Sequence, residues 1–419
     1  MRRRIAVVGS GISGLACAYL LAEDDDVVLF ERDARIGGHA RTLDAELDGA
    51  TRPVDTGFIV FNSVNYPLLT NLFRHLDVAT ETSDMSFAVS YDDGKLEFSG
   101  SSLKGLFAQP SNIVSPKYWR MLRDILAVFR GAPRILDAPG DPSLGEMLDS
   151  LGTGAWARDR FFLPMGAAIW STPPGQIRAM PAKSFVRFFQ NHGLLSVSGH
   201  HQWRTVTRGS RSYVARIAAA SKARVRLAAP VTRIVEAAGG GFEVVTADLA
   251  REAFDEVVLA CHADTALALL AAPTPDERDV LGAFSFRDNE VVLHLDAALM
   301  PRRRNAWASW CYAAGGAETN QRMSVTYWMN ALQNLPAPDI FVSVNPHRHI
   351  AEKLVIDRHT FRHPVMSPDA IAAQRRIPDI QGKRGLWFCG AWQRWGFHED
   401  GLWSAVRVAE AKGRRLPWA

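Results

Sequence analysis

Residues 4–42 read RIAVVGSGISGLACAYLLAEDDDVVLFERDARIGGHART, and this stretch decides the fold. Ile5 to Val8 is a short apolar run that predicts a buried strand. Gly9-Ser10-Gly11-Ile12-Ser13-Gly14 follows. Leu15 to Leu21 then predicts a helix, which the acidic turn Asp24-Asp25-Asp26 stops. Val27 to Phe30 predicts a second buried strand ending at Glu31. The spacing is that of a dinucleotide cradle, and each part has a physical task. Gly9 permits the tight turn, Gly11 lets a pyrophosphate approach the backbone, and Gly14 lets helix and strand pack closely. Ile12 and Ser13 open the helix, whose free N–H groups and positive dipole end favour phosphate. Glu31, about 20 residues beyond the first glycine, can accept both hydroxyl hydrogens of an adenosine ribose. A glycine-rich turn alone is weak evidence; a turn between strand and helix with the acid in place predicts a dinucleotide site.

Further motifs say which dinucleotide. Glu31-Arg32 is followed by Gly37-Gly38-His39-Ala40-Arg41-Thr42, and later by Val54-Asp55-Thr56-Gly57-Phe58-Ile59-Val60. Near the other end, Gly385 to Ala391 predicts a strand and loop, and Gly396-Phe397-His398-Glu399-Asp400-Gly401-Leu402 enters a helix. Together these resemble the flavin amine oxidase and phytoene desaturase superfamily, the C-terminal stretch matching its second FAD motif. The resemblance implies FAD, held by Gly9, Gly11, Ile12, Ser13, Gly14, Glu31, Arg32, Gly38, His39, Arg41, Thr56, Gly57, Phe58, Val231, Gly390, Asp400, Gly401 and Leu402. The family pattern has arginine directly after the paired glycines; this chain has His39 there and Arg41 two positions later. The Ser-Gly-Gly-Cys segment used for covalent attachment in some relatives is absent, which implies non-covalent FAD.

The resemblance also implies an α/β fold with a Rossmann-type FAD domain and a discontinuous α+β substrate domain. The expected division is 1–60, 201–270 and 379–419 for the FAD domain, with 61–200 and 271–378 for the substrate domain. Val225 to Leu227, Val231 to Ile234, Phe242 to Thr246 and Glu256 to Ala260 are read as strands, the last two continuing the sheet. Trp203 to Ser210 resembles the family's return segment, with Arg208 replacing the first of a glycine pair. Met323 to Asn330 is read as a strand able to line a cavity.

Lys117 to Arg134 predicts an amphipathic helix with Tyr118, Met121, Leu122, Ile125, Leu126 and Phe129 on its apolar face and Arg120, Arg123 and Arg130 opposite. Such a helix suits an ordinary surface or an anionic membrane. Phe161 to Phe189 is rich in apolar and aromatic groups, broken by prolines into short pieces, and reads as core or as a cavity wall.

With 419 residues and 47% hydrophobic content, the chain can bury a large core. A net charge of +4 is too weak to argue for nucleic acid, and no motif for it is present. Cys17, Cys261, Cys311 and Cys389 have no CxxC spacing, which suits a reducing compartment. Arg2-Arg3-Arg4 and the apolar run mimic a signal peptide, but cleavage at Ala16-Cys17-Ala18 would destroy the dinucleotide turn. The expectation is a cytoplasmic protein, in solution or on the inner membrane surface. Cys261-His262 is discounted as a nucleophile pair because neighbours on a strand point apart. His347, His349, His359 and His363 are read as surface histidines and no metal is expected.

The stretches RIGGHART, VDTGFIVFN and FCGAWQRWGFHEDGLWSA resemble a narrower bacterial subgroup that includes flavin-dependent desaturases of methylated fatty acyl chains. That implies an apolar, lipid-like substrate. Tyr66, His192, His200 and His201 are weak candidates for a catalytic base. Other oxidases or desaturases of amines, polyisoprenoids or porphyrinogens, and a non-redox isomerase or mutase, remain open.

Overall fold

The computed structural model describes residues 2–314 and 324–418. A five-stranded sheet, parallel throughout, sits at the base of the site, in the order Arg224–Arg226, Asp26–Phe30, Arg4–Val8, Glu256–Leu259, Leu386–Phe388. Its strands come from three distant parts of the chain. Ile5, Ala6 and Val7 are fully buried because helices or a second sheet cover both faces. The helix Ile12–Leu21 is buried along its whole length, packed against the C-terminal helix His398–Ala411.

Phe242–Thr246 does not continue this sheet, contrary to the sequence expectation. It pairs antiparallel with Val231–Glu236 and Arg251–Phe254 in a separate three-stranded sheet. The cause lies in the connection: Gly239, Gly240 and Gly241 reverse the chain at once, whereas a parallel pair needs a crossover of about a dozen residues. Glu256–Leu259 does join the parallel sheet.

A seven-stranded sheet forms the second layer, ordered Val355–Pro364, Phe286–His294, Phe341–Val344, Ser324–Trp328, Trp310–Ala314, Phe87–Tyr91, Leu96–Ser99. Met323, the first residue of the expected 323–330 strand, lies outside the described residues. Helices pack beside this sheet, among them Pro116–Gly131, Leu163–Trp170 and Ala182–Asn191. Phe189 packs its buried ring against those of Phe185 and Phe188, and the buried Phe162 packs against Phe161, so these rings behave as core. On Pro116–Gly131, Tyr118, Met121, Ile125 and Val128 are buried, but Leu126 is 37% exposed rather than on the inner face. No described helix is long and apolar enough to cross a membrane.

Asp55 ties these layers together. Its buried carboxylate accepts from Ser210 N (2.9 Å), Ser210 Oγ (2.7 Å), Thr42 Oγ1 (2.6 Å) and Gln333 Nε2 (3.1 Å). Thr42, across the same hairpin, and the remote Ser210 and Gln333 therefore meet on one side chain. Arg208 takes the left-handed backbone (φ 65°) that favours glycine, and turns the chain into the helix Arg211–Ala220.

Candidate functional site: a dinucleotide cradle between two helix N-termini

The N-termini of Ile12–Leu21 and His398–Ala411 converge. Gly9 adopts φ +103°, and a Cβ at Gly14 would lie 1.8 Å from the Gly9 carbonyl oxygen. A Cβ on Gly11, by contrast, would meet nothing within 4 Å. The turn is thus closed against protein on either side of Gly11 and open at Gly11 itself. No side chain caps this helix, so its first N–H groups stay available. From the other helix, a Cβ at Gly401 would come within 2.8 Å of Ile12 Cγ2 and 2.9 Å of Ser13 Oγ. Gly390 N–H donates to Ser404 Oγ (2.8 Å), and Leu402 is fully buried beneath. Asp400 accepts from Phe397 N–H (3.0 Å), with Arg394 at 3.6 Å, and burial pushes its carboxyl up to about 6.

Glu31 is buried at the end of its strand. One oxygen takes the Ser10 N–H (2.9 Å) and hydroxyl; the other takes the Asp33 N–H (2.9 Å). Ala229 N–H bonds to the Glu31 carbonyl (2.9 Å), which brings the half-buried Val231 alongside. Arg32 stands apart, 77% exposed beside Asp33 (3.5 Å). Gly38 abuts the cradle, since its Cβ would fall 3.0 Å from Gly11 Cα. The guanidinium of Arg41 is committed elsewhere, forking onto Asp357 (2.8 and 3.3 Å). Sequence reasoning passed over Arg35, whose guanidinium holds the glycine loop through Gly38 O (2.8 Å). Its signal was only a basic residue preceding the glycine pair.

Thr56, Gly57 and Phe58 run beside residues 39–41. Thr56 N–H donates to Arg41 O (2.9 Å), Phe58 N–H donates to His39 O (2.9 Å), and a Cβ at Gly57 would be 2.0 Å from that same oxygen. Phe58 stacks on His398 (3.8 Å between ring centroids), whose Nε2 bonds the Tyr213 hydroxyl (2.8 Å). Burial pushes the His398 imidazole down to about 3.

The histidine expectation needs correction. His349 is exposed, but His347, His359 and His363 are half-buried. Along the strand Val355–Pro364, residues 359, 361 and 363 share one face. Phe361 on that face stacks on His39 (4.5 Å), and His363 lies 5.5 Å from it. His262 approaches from the end of Glu256–Leu259, at 6.1 Å. His39 Nε2 is buried without a hydrogen-bond partner. Among the described residues, no group of three His, Cys, Asp or Glu side chains could hold a metal ion. Burial pushes the Cys261 thiol up to about 12 and the His262 imidazole down to about 4. A thiol that weakly acidic, beside an imidazole that weakly basic, is not an activated nucleophile.

Of the four candidate bases, two lie near the C-terminal motif. Tyr66 is buried; burial first, then Asp400 and Glu399, raise its phenol. His192 stacks on Phe188 (3.9 Å), with Trp203 and Phe397 near. Its Nδ1 lies 2.9 Å from the Phe188 carbonyl oxygen; donating there leaves Nε2 bare, while burial lowers its pKa to about 4. His200 and His201 bond the carbonyls of Gly193 and Asn191 in a surface loop.

These residues fit a diphosphate-bearing dinucleotide. The opening at Gly11 and the uncapped start of Ile12–Leu21, which carries about half a positive charge, suit an anion. The described sequence family "flavin containing amine oxidoreductase" matches residues 12–287. Carotenoid phi-ring synthase of Streptomyces griseus is 29% identical over 301 residues, 66% of this chain and 55% of that protein. The chain therefore spans about half the length of this relative. Among solved structures, a CLA-producing fatty acid isomerase from P. acnes superposes with TM-score 0.69 at 17% identity, over 97% of this chain and 98% of that one. Cyclohexylamine oxidase from Brevibacterium oxydans does so with TM-score 0.67 at 15% identity, over 99% and 100%. At these identities the likeness is one of fold.

Proposed function

Because the chain belongs to the flavin-containing amine oxidoreductase family, we propose that it binds FAD non-covalently and dehydrogenates a fatty acyl chain, unsaturated and methyl-branched, presented on phospholipid. When bound, FAD supplies a two-electron acceptor: a hydride and a proton leave adjacent acyl carbons, and O2 or another acceptor restores the flavin. Ile12, Ser13, Gly14 and Gly401 would position the cofactor, and Tyr66 and His192, beside the C-terminal motif, are the candidates to manage the proton.

The observation that carries the substrate class is a surface patch between residues 103 and 126. Leu103 (76%), Ile113 (52%), Val114 (80%) and Trp119 (50%) are exposed large apolar side chains. Trp119 Nε1 bonds the Ile113 carbonyl (2.7 Å) and its ring meets Phe107 (5.5 Å), so the segments form one surface. Lys104, Lys117, Arg120 and Arg123 are exposed around it. Exposed apolar groups ringed by cations suit an anionic bilayer, from which an acyl chain would be drawn. Vesicles containing phosphatidylglycerol should sediment the protein and blue-shift Trp119 emission, with loss of both in Trp119→Ser. Equal binding by the variant would remove this support.

The deciding experiment mixes the holoenzyme anaerobically with phospholipids bearing methylated or unmethylated unsaturated chains. Flavin bleaching together with a two-hydrogen mass loss is expected; bound flavin unreduced by either lipid would overturn the reading. The fatty acid isomerase among the structural relatives favours a second reading, acyl isomerisation without net oxidation. In that case the double bond moves while chain mass is unchanged. Acid precipitation should release the flavin; retention on the peptide would refute non-covalent binding.

A further inference from the structure

Glu97, on the edge strand Leu96–Ser99, fastens two loops at once. Its fully buried carboxylate accepts the backbone N–H groups of Arg302 (2.6 Å) and Arg303 (3.1 Å) and the Arg303 guanidinium (2.9 Å). Its own N–H donates to Gln109 Oε1 (3.1 Å), and its carbonyl accepts from Asn112 Nδ2 (3.3 Å). The basic run Arg302-Arg303-Arg304 is thereby divided. Arg303 is spent on Glu97, while Arg302 and Arg304 line a cavity of about 380 Å³ that opens to solvent. Arg348, beyond the end of Phe341–Val344, lines it too, together with Met300, Pro301 and Trp307. A concavity of that volume is ligand-sized.

The three cations are unequally committed. Arg304 stacks on Trp307 (3.7 Å) and pairs with Asp339 (2.9 Å). Arg348 pairs with Asp93, whose side chain is 66% exposed, so water already competes for that pair. Arg302 has no carboxylate partner among the described residues, and its stem lies against Gly94, where a Cβ would come 2.9 Å from Cδ. Asp296, the nearby acid, turns to its own backbone and accepts Ala298 N–H (2.9 Å). A free guanidinium beside a shareable one suits an oxyanion with several acceptor oxygens, and phosphate meets the guanidinium fork bidentately. The cavity also has neighbours that say where the phosphate comes from. Arg304–Ala306 packs against Leu103–Leu106, which carries the exposed Leu103 and Lys104, and the Glu97 bonds to Gln109 and Asn112 hold the loop bearing Ile113 and Val114. Met300 and Trp307 cluster with Cys311 and Phe341, on the sheet face opposite His359, Phe361 and His363. We propose that this cavity binds the phosphate of an anionic phospholipid headgroup, anchoring the protein while the apolar patch beside it enters the acyl layer. The site deepens the membrane reading above and rests on it.

The test is sedimentation of the full chain with vesicles of phosphatidylglycerol in phosphatidylcholine, at about 0.15 M salt. Arg302→Gln, which breaks no ion pair among the described residues, should weaken binding about thirtyfold, as expected for a lost charge-assisted hydrogen bond to phosphate. Lys117→Gln removes the same charge outside the cavity and should cost about fivefold, the share of one cation near the surface. Equal losses in the two variants would overturn the proposal, since binding would then follow net charge alone. Dihexanoyl phosphatidylglycerol, kept monomeric, should show a broadened phosphorus resonance with wild-type protein and a sharp one with Arg302→Gln. Inorganic phosphate at equal concentration should leave that lipid bound; displacement would assign the cavity to free phosphate and overturn the lipid site. Wild-type protein that ignores the vesicles altogether would refute the membrane reading, and the site with it. That failure is distinguishable, because it is seen before any variant is made.

Discussion

Gly11 and Gly14 separate binding from folding. Gly14→Ala would drive a methyl into the Gly9 carbonyl oxygen, 1.8 Å from the ideal Cβ position. Overpacking of that kind costs about 3 kcal/mol, so this variant should both melt earlier and lose flavin. Gly11→Ala adds its methyl where no protein atom lies within 4 Å. It should stay within ~1 kcal/mol of wild-type stability yet bind FAD at least tenfold more weakly, by thermal melting and fluorescence titration. Equal flavin affinity in Gly11→Ala would contradict the cradle. Asp55 is the structural counterpart. Asp55→Asn replaces an acceptor by a donor where Ser210, Thr42 and Gln333 all donate, so urea unfolding should show a loss of about 2–3 kcal/mol. The Val-Asp-Thr-Gly motif was visible in the sequence, but this role was not. Two of its three donors, Ser210 and Gln333, are distant in the chain, and nothing local marks them.

The two helices that frame the cradle meet through Gly401, whose Cβ would press on Ile12 and Ser13. Gly401→Ala should therefore force the helix starts apart, weaken FAD binding, and destabilise by about 1–3 kcal/mol; unchanged cofactor affinity would mean their spacing is irrelevant. The same C-terminal helix anchors another element. Both Glu399 carboxylate oxygens accept N–H groups at the start of Pro67–His75, from Leu68 and Leu69 (2.9 Å each). The helix containing Tyr66's neighbours thus moves with the cofactor helix. Amphipathic and strand patterns placed most of these elements, because periodicity is a local property. They could not tell which sheet the strand Phe242–Thr246 joins, since pairing depends on how the connection turns. They could not show that the face carrying His359, Phe361 and His363 covers His39, because alternation identifies a face without naming its partner.

Over the whole molecule, buried ionisable groups set an acid limit. His192, His262, His294, His347 and His363 are pushed down to about 4, and His398 to about 3, chiefly by burial. An unfolded histidine titrates near 6.5, so as pH falls from about 6.5 to 4 the unfolded chain gains protons that the folded chain refuses, and stability falls. Asp55 and Asp400, raised to about 6, and Glu399, raised to about 7, act oppositely: the folded state takes their protons first, so stability rises as pH falls. The six histidines outnumber the three carboxyls, and the flavin-free chain should lose Tm steadily from pH 6.5 to 5. A Tm that is flat or rising over that window would contradict this balance. The sequence by itself determined the strand–turn–helix cradle, the acid that closes it and the paired terminal motifs, because glycine spacing and hydrophobic period are set by neighbours along the chain. Only the tertiary structure decided that His262 and His363 come beside His39, that Arg41 is spent on Asp357, and that Asp55 fastens its own hairpin to Ser210 and Gln333. Those arrangements bring in residues more than a hundred positions away, and burial, which then fixes the protonation of the histidines, exists only once the chain has packed.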